Sequence, residues 1–353
     1  MKRLFTFHVS RLMRRSSPTA ILAVVSFGVF VAADDLTVVS TMLRQIIFDL
    51  RIPLPDGLND AAWIVNAYLI AYVVVMPLAG RLSDLWGRRA VYLGAFTLFL
   101  VGSVWLPLAH DLPTFIVGRV LTALGGGAMV PVGMAVIGDV YEPRQRPGAL
   151  GVLGAVDTAG WVWGPLYGAL LIRYLNWRWQ FYLNVPLAVV GMAAAWYALR
   201  DWPRPAGRER LDGWGATALT AGLLSLNLAL LRGSDVQSVG SLAELTDGRS
   251  AGVWPLYLAA CACLGLFVWI ERRLAFPLVD LRLFRRPNFT PAVLVNFLVG
   301  GVLIIAMINV PLLVNVLEVE VERAALVSGW LLSALTGAMA LLAYVGGRLS
   351  GRW

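Results

Sequence analysis

The sequence predicts an all-α polytopic membrane protein, on three observations. Of its 353 residues, 59% are apolar and only 14% charged, where a soluble domain carries about 25% charged residues. The mean hydropathy is +0.73, and the apolar residues gather into long uncharged runs, each near the roughly 20 residues a helix needs to cross a bilayer. No stretch has the alternating apolar and polar pattern of a membrane β-barrel.

Ten runs qualify as spans, at 17–43, 61–81, 90–109, 114–138, 148–172, 180–199, 213–231, 252–270, 289–315 and 325–347. The first follows a basic segment holding Lys2, Arg3, Arg11, Arg14 and Arg15. A cleaved signal peptide is the rival reading there, because Val31-Ala32-Ala33 resembles a small-residue cleavage site. The apolar run continues through Leu36, Val38, Val39, Met42 and Leu43, so a retained first helix is expected. The second span ends on Gly80-Arg81-Leu82-Ser83-Asp84, and the third starts after Arg88-Arg89. The fourth carries Arg119 and the fifth Asp157, and the sixth follows Trp177-Arg178-Trp179 and stops at Arg200. Polar segments isolate the seventh and eighth spans, Arg285-Arg286 precede the ninth, and Gly347-Arg348 end the tenth.

Loop charge sets orientation, because cytoplasmic loops hold the excess of Lys and Arg. With the N-terminus inside, the inner segments hold 21 of the 29 basic residues and the outer ones seven. The net charge of +8 thereby reads as topology and calls for no nucleic-acid partner. Lys2 is the only lysine, which excludes P-loop ATP-driven pumping and Schiff-base chemistry by this chain. His8 and His110 lie far apart, so no metal site is expected. Cys261 and Cys263 sit inside an apolar run as small packing residues, with no disulfide framework.

An internal repeat stands out. Gly80-Arg81-Leu82-Ser83-Asp84-Leu85-Trp86 recurs as Gly347-Arg348-Leu349-Ser350-Gly351-Arg352-Trp353, and internal duplication is typical of transporter folds. Four further spans follow the first copy and none follows the second, so the chain is expected to be C-terminally truncated, short of about four helices.

Of the 29 basic and 21 acidic residues, only Asp34, Asp35, Arg119 and Asp157 fall well within a span. Facing lipid, each would cost about 2.5–3.5 kcal/mol, so they should face the bundle interior and mark a substrate or proton path. At 1.5 Å per residue, Asp34 lies about 13 Å and Arg119 about 7 Å below the outer surface, within reach of one arginine side chain. Asp34, Thr37 and Thr41 share one helix face, with Asp35 about 100° round from it. Two adjacent carboxylates cannot both stay ionised at low cost, which suits one of them to carry a proton. The alternative is a structural ion pair between the first and fourth spans. Asp157 could likewise bind a cation, carry a proton or make a polar contact within the bundle.

Glycine recurs at helical spacing in Gly160-x-x-x-Gly164-Pro165-x-x-Gly168, which permits close helix approach, with Pro165 expected to kink the span. Gly125, Gly126 and Gly127 read as the same device. No strand precedes them, so they are no dinucleotide fingerprint.

On these residues the sequence resembles the major facilitator superfamily, and within it the fourteen-span drug:proton antiporters. The family's loop motif is matched by Gly80, Leu82, Asp84, Gly87, Arg88 and Arg89, with Leu85 in place of the usual arginine. The fourth-span motif looks like Arg119 through Pro131, with Thr122 and Ala123 where Gln and Gly are usual, and the antiporter motif looks like Gly160, Gly164, Pro165 and Gly168. Asp35-x-Thr37-Val38-Val39, Trp63-x-x-x-Ala67-Tyr68-Leu69, Trp177-Arg178-Trp179-Gln180-Phe181-x-x-Asn184-x-Pro186 and Leu281-x-Leu283-Phe284 agree with the group.

The resemblance implies a cytoplasmic tail at 1–16, a six-helix N-terminal bundle at 17–200, a linker with two extra helices at 201–273, and the start of a second bundle at 274–353. It implies alternating access, with Asp84 and Arg88 latching the cytoplasmic side, Arg119 in proton coupling and the glycine-proline span blocking leak. The expected function is proton-coupled export of small amphipathic molecules, by a monomer in the cell membrane, with the proton as coupling ion and no cofactor or metal. Transport of a specific metabolite, and an inactive transporter fragment, are the alternatives. A polytopic membrane enzyme is the reading from another class, and His110 beside Asp111 is its one candidate centre.

Overall fold

The computed structural model describes residues 17–53, 58–203, 213–233, 253–274, 277–317 and 321–350. The expected tail at 1–16, the basic residues Arg204, Arg208 and Arg210, and the end of the second repeat copy at 351–353 lie outside the described residues. Among the described residues the regular structure is entirely helical, with ten long helices. They are α1 (Pro18–Asp49), α2 (Leu58–Trp86), α3 (Arg88–Trp105), α4 (Leu112–Val140), α5 (Arg146–Tyr174), α6 (Arg178–Ala198), α7 (Gly213–Gly233), α8 (Trp254–Arg273), α9 (Phe289–Leu317) and α10 (Val321–Ser350). Short 3-10 turns at Leu106–Leu108 and Leu281–Arg285 follow α3 and precede α9.

Each expected span contains a helix, and most helices run a few residues past the apolar run at one or both ends. Ser17 starts α1, its Oγ accepting from the Ala20 amide at 3.2 Å with Pro18 in the first turn. At the far end α1 reaches Asp49 rather than stopping near Leu43, because Gln45 and Asp49 find partners on the segment leading into α6. Gly87 alone separates α2 from α3. Its φ of 91° is a setting that other residues adopt only under strain, which is why a glycine stands there.

Seven of the ten helices, α1 to α4 and α6 to α8, are by themselves long and apolar enough to cross a membrane. The described apolar segments of α9 and α10 are shorter, at Phe289–Val302 and Ala334–Gly347. The helix α5, which carries six glycines and Asp157, is not among the seven.

The helix α1 lies at the centre, packed against α5, α4, α6 and α2. The helix α4 packs in turn on α2 and α3, and α3 on α6. The pair α7 and α8 pack chiefly on each other, α7 also touching α2, and α10 packs on α5. Two apolar layers fill the core. One surrounds Val25, Val29, Tyr92, Phe96, Phe99, Met129 and Val136 towards the Pro18 end of α1. The other surrounds Met42, Ile46, Ile64, Phe115, Trp177 and Phe181 towards its Asp49 end. Between them α1, α4 and α6 present polar side chains, and the candidate site is built there.

Three successive glycines of α4 make the centre tight. A Cβ on Gly125 would lie 2.5 Å from the Ala95 carbonyl oxygen of α3, and one on Gly127 2.8 Å from the Tyr72 carbonyl oxygen of α2. One on Gly126 would lie 3.3 Å from the Ala32 Cβ of α1. Neighbours on a helix point about 100° apart, so one glycine run admits three helices.

Candidate functional site: a buried carboxylate–arginine layer

Asp35 is fully buried and Arg119 is 1% exposed. Arg119 Nη1 donates to Asp35 Oδ2 at 3.1 Å, and Asn184 Nδ2 donates to Asp35 Oδ1 at 2.9 Å. The guanidinium also stacks on Tyr68 of α2, 3.9 Å from the ring centre, and the Tyr68 hydroxyl donates to the Ala32 carbonyl of α1 at 3.4 Å. Asp34 turns to α6 instead, where Gln180 Nε2 donates to its Oδ2 at 3.1 Å and to Asn184 Oδ1 at 3.3 Å. Two acids and one guanidinium are thus joined by two amides in a single buried layer. Unpaired charge in such a place is costly, and each extra hydrogen bond offsets part of that cost.

The expected pairing of the first and fourth spans is present, but Asp35 makes it and Asp34 does not. The 100° step between adjacent helical residues decides this, aiming Asp35 at α4 and Asp34 at α6. Asp157 stands apart on α5. Its Oδ1 is buried without a partner, as is the Trp161 indole nitrogen one turn on, and Tyr72 of α2 lies within electrostatic range.

The glycines of α5 seat that helix on the same stretch of α1. A Cβ on Gly160 would lie 2.7 Å from the Ala33 Cβ, one on Gly164 would lie 3.0 Å from the Asp34 carbonyl oxygen, and one on Gly168 would lie 3.2 Å from the Val38 carbonyl oxygen. Pro165 falls within α5 between them.

The loop-motif residues form a second cluster at the α2–α3 junction. Arg88 pairs with Asp84 of α2 at 2.5 Å and with Asp139 near the end of α4 at 3.0 Å, and donates to Ser83 Oγ at 2.5 Å. Asp139 at a helix C-terminus opposes the helix dipole, and the guanidinium offsets this. Arg89 stacks on Trp196 of α6 at 4.3 Å and donates to the Arg200 carbonyl at 3.3 Å. Gly80 has open space where a Cβ would project. Its counterpart in the repeat, Gly347, is packed, its own Cβ position 2.6 Å from the Pro147 carbonyl oxygen of α5.

At the Asp49 end of α1, Trp177 Nε1 donates to Asp49 Oδ2 at 2.9 Å and the Trp177 amide to Gln45 Oε1 at 3.0 Å. Arg178 pairs with Asp49 and donates from Nε to the Pro107 carbonyl at 3.1 Å. Asp111, the acid of the supposed enzyme centre, is a helix cap: its Oδ1 accepts from the Thr114 hydroxyl at 2.6 Å and the Thr114 amide at 2.8 Å. Those two bonds hold its carboxyl below the usual carboxylate range.

Sequence reasoning passed over Gln180, Asn184 and Asp139 as site residues. Gln180 and Asn184 stand four apart in an apolar span, hence on one face. That spacing is the signal in the sequence that marks them.

The family profile described as Major Facilitator Superfamily matches residues 25–353. Multidrug resistance protein 3 of Bacillus subtilis is 29% identical over 290 residues, which cover 82% of this chain and 53% of that protein. Multidrug transporter protein MdtP of the same organism is 30% identical over 339 residues, 95% of this chain and 59% of the relative. A triacylglyceride transporter of Mycobacterium tuberculosis is 33% identical over 319 residues, 88% and 59% respectively. The chain therefore spans 53 to 59% of the length of these three relatives.

Proposed function

The chain belongs to the major facilitator superfamily, and from that premise we propose that it is a multi-pass secondary transporter of the fourteen-span type that exports small amphipathic molecules in exchange for protons. The observation that carries the proton coupling is the buried layer of Asp34, Asp35, Arg119, Gln180 and Asn184, which holds two carboxyl groups against one guanidinium between two apolar layers. Intramembrane acids of this kind default to ion or substrate pathways. Asp157, with its unpartnered Oδ1 on the neighbouring helix, belongs to the same pathway in this reading.

The helical plan follows the same proposal. Helices α1–α6 make the first bundle, α7 and α8 a linking pair and α9 and α10 the start of the second, which agrees with α7 and α8 packing chiefly on each other. The inner side is the Pro18 end, where loop charge favours the cytoplasm. There Asp84, Arg88 and Asp139 latch α2, α3 and α4, Arg89 ties α3 to the end of α6, and the Gly151–Gly347 contact of α5 with α10 closes the cytoplasmic side. Alternating access opens that contact and closes the opposite side around the buried layer. One relative named as a multidrug resistance protein and one named as a multidrug transporter protein support export of drug-like molecules. A relative named as a triacylglyceride transporter favours lipid cargo as a second reading.

The test is transport by inverted membrane vesicles carrying the protein, energised by a pH gradient. The expected result is accumulation of an amphipathic dye that collapses when the gradient is dissipated. Dye movement indifferent to the gradient would refute proton coupling, and transfer of fluorescent lipid without dye would favour the lipid reading.

A further inference from the structure

We propose that the connector between α8 and α9 is a docking surface for anionic phospholipid, with the headgroup phosphate held by Arg282 and Arg285 and the rings of Phe284 and Trp269 at the edge of the acyl chains. The proposal is independent of what the protein carries and of its coupling ion. It gives a role to Leu281-x-Leu283-Phe284, which the proposed transport leaves unused.

The connector is held in shape by two carboxylates turned onto backbone amides. Glu271, buried in the last turn of α8, accepts from the Leu278 amide at 3.1 Å and the Val279 amide at 3.4 Å, which folds the chain back on the helix end. Asp280 caps the 3-10 turn Leu281–Arg285, its Oδ1 accepting from the Arg282 amide at 3.0 Å. The Thr290 hydroxyl donates to the Phe284 carbonyl at 2.8 Å, and Phe284 meets Phe289 of α9 edge to face, 5.0 Å between ring centres.

Arg272, Arg273, Arg282, Arg285 and Arg286 lie exposed on this frame, and none of them makes an ion pair among the described residues. Arg272 and Arg273 complement the C-terminal dipole of α8, and Arg273 also stacks on Trp269, 4.0 Å from the ring centre. Residues three apart in a 3-10 turn eclipse, so Arg282 and Arg285 share one face about 6 Å apart along the axis, with Leu281 and Phe284 on the next. Two guanidiniums at that spacing can share one phosphate, each through a fork of N–H donors.

Other arginines on the same side are used within the protein. Arg88 pairs with Asp84 and Asp139, Arg89 stacks on Trp196, and Arg146 Nε donates to the Tyr141 carbonyl at 2.8 Å. Positive charge by itself marks only topology. The α8–α9 connector adds exposed apolar groups, with Phe284 46% and Trp269 52% exposed. A soluble phosphate would satisfy the arginines and leave those rings in water, whereas a phospholipid covers both. Juxtamembrane clusters of four to eight basic residues attract anionic lipid in this way.

Electron spin resonance of the full chain in phosphatidylcholine bilayers, with a trace of spin-labelled phosphatidylglycerol or phosphatidylcholine, reads the lipid immobilised at the protein. Phosphatidylglycerol is expected to be held several-fold more strongly than phosphatidylcholine. Arg282→Gln combined with Arg285→Gln should remove most of that preference, and Arg282→Lys with Arg285→Lys should keep it because the charges remain. Arg144→Gln with Arg200→Gln, which removes the same charge from exposed positions on the same side, should leave it in place. The proposal is overturned if the parent shows no preference, if this control pair loses as much as the glutamine pair, or if the lysine pair does. Displacement of the lipid by soluble glycerol phosphate at constant ionic strength would mark a free-phosphate site and overturn it as well.

Discussion

Replacing Gly164 with alanine should destabilise the protein although alanine is the better helix former. A Cβ at this position would lie 2.9 Å from the Val38 amide nitrogen and 3.0 Å from the Asp34 carbonyl oxygen, with the Thr37 hydroxyl also in the way. Two of these three atoms are backbone of α1 and cannot swing aside, so α5 must move off α1. Overpacking of a tight core costs about 1–3 kcal/mol, and the alanine returns roughly 0.5–1 kcal/mol of backbone entropy. At mid-range the net loss is about 1 kcal/mol, a factor of roughly 5–10 in the folded-to-unfolded ratio. Gly154 is the internal control on the same helix, because nothing lies within 4 Å of its Cβ position. Gly154→Ala should be neutral or stabilising by up to about 1 kcal/mol. Reversible unfolding in mixed micelles, followed by circular dichroism, ranks the three proteins. If Gly164→Ala matches the parent, or Gly154→Ala is the weaker of the two variants, the close-approach argument fails.

Arg119→Met strands Asp35 in a fully buried site and should cost about 3–5 kcal/mol. Adding Asp35→Leu should recover part of that loss, giving a favourable coupling energy in a double-mutant cycle. Trp177→Ala removes a large side chain that is 1% exposed and bonded to Asp49, for a loss of about 3–5 kcal/mol in the same unfolding assay. The Asp111 cap predicts a pH effect at the start of α4. Its carboxyl is held below its ordinary value of 3.8 by Thr114, so its contribution is complete above that pH. It is lost as the pH falls through the lower folded value. Asp111→Asn should keep the cap and abolish that acid-side loss, as read from melting temperature against pH.

How much was legible in the sequence differs between local and long-range features. Helix positions were, since an apolar run of about 20 residues declares itself without reference to any other part of the chain. The capping of α1 and α4 was equally local, set by Ser17 and Asp111 and the prolines that follow them. So was the scarcity of charge inside the spans, which singled out Asp34, Asp35, Arg119 and Asp157 before any helix was placed.

Tertiary structure alone decided what those charges touch. Depth placed Asp34 and Arg119 at bridging distance, but depth does not carry rotation, and the 100° step from Asp34 to Asp35 gave Arg119 to the second acid. Gln180 and Asn184 entered the site because α6 packs beside α1, a contact 146 and 149 residues away in the chain. Asp139 became a partner of Arg88 by the same route, 51 residues on. The chain's own composition thus determined that it is a helical membrane protein with a few buried charges. Which buried acid is paired and which is left with an open oxygen depended on how three helices turn against one another, because hydrogen bonds and ion pairs act only over contact distance.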